Sequence, residues 1–237
     1  DTNIMYTGPH IITDGLIFSI DAGSPRSYPG TGNTVNDIIK NHAGGSLSGG
    51  ASVIDSNYFN FDGVNDSLQF ATNSIFEHGT LPFSMETWVR LLDNTGTSNF
   101  NAVIGGGNPL CDGCSGGYFI FINGTNSSNI NIRFDDSGLG NLDSLNYNRG
   151  TTFEDGTFHH IVGLRDGTNT KIYLDGLLVA TGTDNAPNVN DIGIFYVSGW
   201  SNYKGNMDVA TSKMYSRALT ADEVSQNYNA QKSRFGL

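Results

Sequence analysis

At 237 residues the chain is long for one domain, yet all-β sandwiches of about 200 to 250 residues fold around a single core, so one domain over residues 1–237 is expected. Its 12 Lys and Arg against 23 Asp and Glu leave a net charge of −11, which with no basic run to reverse it excludes nucleic-acid and anionic-membrane partners, both of which require clustered cations. Only 15% of residues are charged while 31 are Gly and 14 are Phe, a mixture of aromatic strands and turn-rich loops, and no segment approaches the roughly 20 consecutive apolar residues of a membrane helix, so a soluble protein is expected.

In chain order, short strands are predicted at 16–20, 58–61 and 67–70, with 43–51 (AGGSLSGGA) read as a loop. The segment FSMETWVRLL from Phe83 alternates: Phe83, Met85, Thr87, Val89 and Leu91 share one face, and Ser84, Glu86, Trp88 and Arg90 the other. That period of two predicts a central strand with one face in the core. Further strands are predicted at 102–104, 118–122 and 130–134, with the glycine-rich 105–117 as a loop between the first two.

Cys111 and Cys114 fall in that loop, in NPLCDGCSGG. Two thiols cannot enclose a zinc ion unaided, so a local disulfide is expected; closing so small a ring would shape the loop without being needed for the fold.

FHHIVGLRD repeats the alternation, with Phe158, His160, Val162 and Leu164 together and His159, Ile161, Gly163 and Arg165 opposite. The paired histidines therefore point to opposite faces and cannot chelate one ion, which favours packing or hydrogen bonding as their role. In KIYLDGLLVA, Asp175-Gly176 supplies the positive-φ pair of a type I′ turn, predicted to pair Leu174 with Leu177 and Ile172 with Val179. Strands at 192–197 and within 207–215 follow. Near the C-terminus Thr220 and Glu223 form a capping box, and Leu219 can staple against Val224, predicting one short helix over about 221–230. The sum is an all-β fold, a two-sheet antiparallel sandwich with one short C-terminal helix.

The segments DGLIFSIDAGSPRSYPGTG (14–32), FDGVNDSLQF (61–70), FSMETWVRL, FHHIVGLRDGTNTKIYLDGLLV and MYSRALTADEVSQNYNAQKSRFG (214–236) resemble, in that order, the successive blocks of laminin-G-like jelly rolls in the concanavalin A-like lectin/glucanase superfamily. The first and last are most similar to versions in structural proteins of tailed bacteriophages, especially cyanophage-like ones. The resemblance implies a jelly roll on a virion or extracellular protein. Fold alone does not fix function.

The superfamily's glucanases place carboxylates as Glu-x-Asp-x-x-Glu along one strand, and no segment here has that spacing; residues 113–117 (GCSGG) have the Gly-x-Ser-x-Gly spacing, but in the glycine-rich loop and not at the strand-to-helix elbow that a nucleophile needs. No catalytic residues and no enzyme activity are expected. Three Asn-x-Ser/Thr sequons at Asn65, Asn123 and Asn126 are read as products of composition.

In pentraxin-type relatives, calcium and ligand are held by two rim loops, which here correspond to 108–117 and 198–205. These offer Asp112 in the first and Trp200, Asn202 and Tyr203 in the second as ligand-binding residues, with Trp200 alternatively folding back as a packing element over the open end of the sandwich. One Asp is a poor endowment for calcium, which takes six to eight oxygens. No cofactor is required on this reading; a structural calcium stays open, there or at Asp135-Asp136 or Asp62 with Asp66, although FDGVNDSL reads more simply as a tight turn. Two classes of partner follow: a glycan or host-surface ligand, or other virion proteins in an assembly or decoration role, with oligomerisation open.

Overall fold

A computed structural model describes residues 9–39, 44–93, 100–107, 116–123, 128–136, 142–185, 187–190 and 193–237. Its strands are β1 Leu16–Asp21, β2 Thr34–Val35, β3 Gly45–Ser48, β4 Ser52–Ile54, β5 Tyr58–Asp62, β6 Ser67–Phe70, β7 Phe83–Asp93, β8 Phe100–Gly107, β9 Gly117–Asn123, β10 Asn129–Asp135, β11 Leu142–Asn148, β12 His159–Arg165, β13 Asn169–Leu174, β14 Leu177–Thr183, β15 Phe195–Val197 and β16 Asn206–Tyr215. Helix α1 spans Ala221–Gln231 and runs into a 3-10 turn at Lys232–Phe235.

These strands make two eight-stranded antiparallel sheets among the described residues. The first runs β14-β13-β12-β7-β16-β5-β4 with β1 also against β16; the second runs β11-β10-β9-β8-β15-β6-β3-β2. They stack as a jelly-roll sandwich. Alternate side chains from both inner faces fill the space between, as the pleat requires. Phe76 and Phe195 stack at 4.1 Å, and Phe18 meets Phe70, Phe76 and Phe195 edge-on at 4.9 to 5.4 Å.

The two-face prediction for β7 needs correction: Phe83 to Val89 are all buried, not one side only. Alternation reveals the face packed in the sandwich but says nothing of what lies on the other. Here α1 and the 3-10 turn lie over the outer face, and Trp88 stacks on Phe235 at 4.4 Å and on Tyr228 at 5.7 Å. Strand β12 is buried on both faces for the same reason.

The turn at Asp175 and Gly176 has φ of +50° and +81°, and Leu174 pairs with Leu177 as expected. Ile172, however, pairs with Ala180 and not Val179, because a bulge follows it. Two segments read as loops are partly strand. Within 43–51, Leu47 is buried on β3 between exposed serines; within 105–117, Gly105 to Gly107 continue β8. A Cβ at Gly105 would lie 2.0 Å from the Tyr118 carbonyl, so glycine there permits close strand pairing. Strands β2 and β4, of two and three residues, are too short to show alternation, and four of the seven residues of β11 are polar. Of the segment 192–197, only 195–197 is strand, and residue 192 lies outside the described residues.

The helix start is as predicted. Thr220 Oγ1 accepts from Glu223 N at 3.3 Å, and Glu223 Oε2 accepts from Thr220 N at 2.8 Å. Leu219 and Val224 are buried in one apolar cluster. Bonding to Arg217 above all, and then to Thr220, holds the Glu223 carboxyl down at about 2. Thr220→Ala is expected to cost about 0.5 to 2 kcal/mol, read as a fall in Tm of about 2 to 4 °C per kcal/mol for a chain of this size. An unchanged Tm would contradict the capping role.

Candidate functional site

The pleat of the second sheet sends Tyr118, Ile120 and Ile122 of β9 inward and Phe119 and Phe121 outward. On β10 it sends Ile130, Ile132 and Phe134 inward, leaving Asn131 and Arg133 on the outer side. Tyr196 of β15 and Ala102 of β8 join this outer face. Outward aromatics would cost solvation if bare, yet Phe119 and Phe121 are fully buried.

Part of their cover is the loop that follows β15. Trp200, 8% exposed, lies 5.0 Å from the Phe119 ring and 6.4 Å from Phe121, and Tyr203 stacks on Trp200 at 4.9 Å with planes 12° apart. Backbone bonds fix this turn: Tyr203 N donates to Trp200 O at 2.8 Å, Ala102 N to Tyr203 O at 3.1 Å and Ser198 N to Val103 O at 2.9 Å. Lys204 completes the anchoring. Its ammonium donates to the carbonyls of Gly199 at 3.2 Å and of Asn65 and Asp66 at 3.4 Å. Burial holds its pKa below the usual lysine value, opposed by the nearby Asp66 and Asp62.

The predicted Trp200, Asn202 and Tyr203 thus share one turn, with different surroundings. Trp200 is enclosed, Tyr203 half-buried and Asn202 exposed. Asp112, Cys111 and Cys114 lie outside the described residues. Sequence reading missed Phe100, Tyr196 and Arg133. Phe100 and Tyr196 are half-buried in the same aromatic cluster, and the Arg133 guanidinium lies 4.9 Å over the Phe100 ring. Asn131 beside it donates to Ser144 Oγ and Asn146 Oδ1, both at 2.9 Å. The available signal was the polar half of NINIRF, whose apolar half alone was used.

In the described part of this rim the carbonyls are gathered by an ammonium, that of Lys204. Among the described residues no three His, Cys, Asp or Glu converge as metal ligands. Asp62 Oδ1 accepts from Val64 N at 2.8 Å and Asp66 Oδ2 from Asp62 N at 2.9 Å, which is the tight-turn arrangement. The carbonyls nearby are engaged by Lys204.

Two further ionisable clusters lie on the first sheet, one at His159 whose Asp155 and Asp175 partners are partly exposed and one at Glu86 that is enclosed. His159 Nδ1 meets Asp175 Oδ2 at 2.9 Å and its Nε2 meets Asp155 Oδ2 at 3.2 Å, while His160 faces Trp88 and Glu86 across the strand. Glu86 is fully buried beneath α1, where Lys213 Nζ donates to it at 2.7 Å and Asn227 Nδ2 at 2.6 Å. Burial would raise its pKa; attraction to Lys213, then bonding to His160, overcomes that and holds the carboxyl well below its usual range. Fully buried and held by these partners, Glu86 is an anchor for the helix.

The family model of the concanavalin A-like lectin/glucanases superfamily matches residues 62–225. The structure is similar to the binding domain of Paraclostridial Mosquitocidal Protein 1 (TM-score 0.70, 16% identity, covering 91% of this chain and 52% of that one). It is also similar to the receptor binding domain of botulinum neurotoxin C/D mosaic serotype (0.68, 16%, 93% and 52%) and the binding domain of botulinum neurotoxin serotype G (0.67, 17%, 92% and 51%). The chain therefore spans about half the length of these structures. No curated protein sequence matches it.

Proposed function

This chain belongs to the concanavalin A-like lectin/glucanases superfamily as a laminin-G-like domain, and from that premise we propose that it is a non-catalytic module recognising carbohydrate on a partner or host surface. The observation that carries the reading is the outer face of the second sheet. Tyr203, Tyr196 and Phe100 present half-buried rings over a fully buried aromatic base, beside exposed Asn202, Ser144 and Asn146. Sugars stack their C–H faces on such rings and take hydrogen bonds from neighbouring amides and hydroxyls. Similarity to toxin domains named as binding or receptor binding domains supports a binding role, and a face of this kind suits a module displayed outside the cell on a secreted protein or a virion fibre.

Glycan-array binding followed by titration calorimetry tests the proposal. Tyr203→Ala is expected to weaken glycan affinity by about tenfold or more, the order of a lost stacking contact plus a hydrogen bond, with Tm close to that of the parent. Absence of glycan binding by the parent, or full retention of it in a folded Tyr203→Ala variant, would overturn the reading.

A further inference from the structure

Resting on this carbohydrate reading, we propose that Arg133 is an anion subsite and that the ligand is an acidic glycan whose carboxylate it receives. The chain has an excess of carboxylates, 23 against 12 basic residues, and its cations generally use them: Arg90, Arg149, Lys213 and Arg217 each meet one within 2.7 Å. Arg133 forms no such pair among the described residues. Its only hydrogen bond there is from Nε to Asn131 Oδ1 at 2.9 Å, which leaves both terminal amino groups with unused donors. Asp135, two residues on, acts on it through space without an ion pair.

Arg133 is also half-buried, so the missing partner has a cost that an exposed arginine would escape. Desolvation holds the guanidinium below its ordinary pKa, opposed by Tyr203 and Asp135. Its position is fixed. The strand sets its backbone, Asn131 clamps Nε, and the Phe100 ring lies against the guanidinium at 4.9 Å. Asn131 is itself held by Ser144 and Asn146. A planar cation fixed at its inner edge with its outer donors free is the geometry that takes a carboxylate through two parallel N–H···O bonds. Tyr203 and Phe100, whose rings lie 6.3 Å apart, flank the same place and would receive the sugar that carries it.

The test compares sialyllactose, oligogalacturonate and oligomannuronate, each beside its own methyl ester, with neutral and sulfated oligosaccharides as further arms. At least one acid is expected to bind the parent about tenfold or more tightly than its ester, the order of a charge-assisted pair. Arg133→Gln should bring acid and ester together without weakening the ester, and Arg133→Lys should restore part of the difference. Both variants are checked by circular dichroism, and if Arg133→Gln does not fold, the Lys variant must still lower the acid-to-ester ratio. Acids and esters binding alike, or neutral glycans alone binding, would overturn the inference while leaving the carbohydrate reading standing. A preference for sulfated sugars would overturn the carboxylate assignment. Failure of every glycan would overturn both.

Discussion

Glu86→Ala should be among the most destabilising single changes in this chain, costing about 3 to 5 kcal/mol, because it leaves the buried Lys213 ammonium without its carboxylate. Both side chains are at most 2% exposed. The same change removes the acceptor of Asn227, whose Oδ1 takes the Ile12 amide at 2.7 Å, so the helix and the segment before β1 loosen together. Urea unfolding should show this as a large fall in midpoint. The double variant Glu86→Met with Lys213→Met should recover much of the loss, since replacing a buried pair by apolar groups of similar size is often neutral. If the single variant were as stable as the parent, the network would not be the anchor described. The pH dependence follows from the depressed Glu86 pKa. The unfolded chain takes up its proton near 4.5 and the folded chain only at lower pH. This contribution is therefore complete above about 4.5 and is lost as pH falls through the folded value.

Trp200→Ala is the second large effect, about 3 to 5 kcal/mol, the range for removing a buried tryptophan. The indole is wedged between Tyr203 and Phe119 and helps to cover two phenylalanines on the outer side of a sheet. Its removal should lower Tm by roughly 6 to 20 °C at about 2 to 4 °C per kcal/mol. Binding should fall as well, because Tyr203 loses the surface it stacks on. A variant that melts like the parent but no longer binds would instead make Trp200 the ligand platform, with Tyr203 its accessory.

The chemistry of individual residues explains how far sequence reading reached. The Asp175-Gly176 turn and the Thr220 to Glu223 cap are local devices, decided within a few residues, and both were legible. The inner faces of β7 and β12 were legible because alternation is imposed by the pleat. What covers Trp88 was not, since Tyr228 and Phe235 lie about 140 residues further on and sequence spacing carries no trace of the contact. At the candidate site Trp200, Asn202 and Tyr203 stood out as an aromatic and amide cluster in one loop. Arg133 did not, because a lone arginine in a strand is unremarkable until its described neighbours leave its terminal donors unused. Leu142 to Asn148 escaped because an edge strand with polar outward positions resembles a coil.

Lys204 gives the rim loop a counter-ion that is covalently part of the chain. A free metal ion would occupy such a ring of carbonyls only in proportion to its concentration, whereas a tethered ammonium is always at hand, its effective concentration set by the chain itself. The three carbonyls it gathers come from two loops remote in sequence, residues 65 and 66 on one side and 199 on the other. The turn bearing Trp200 and Tyr203 is thus tied to the loop before β6 by a charge that the chain itself carries.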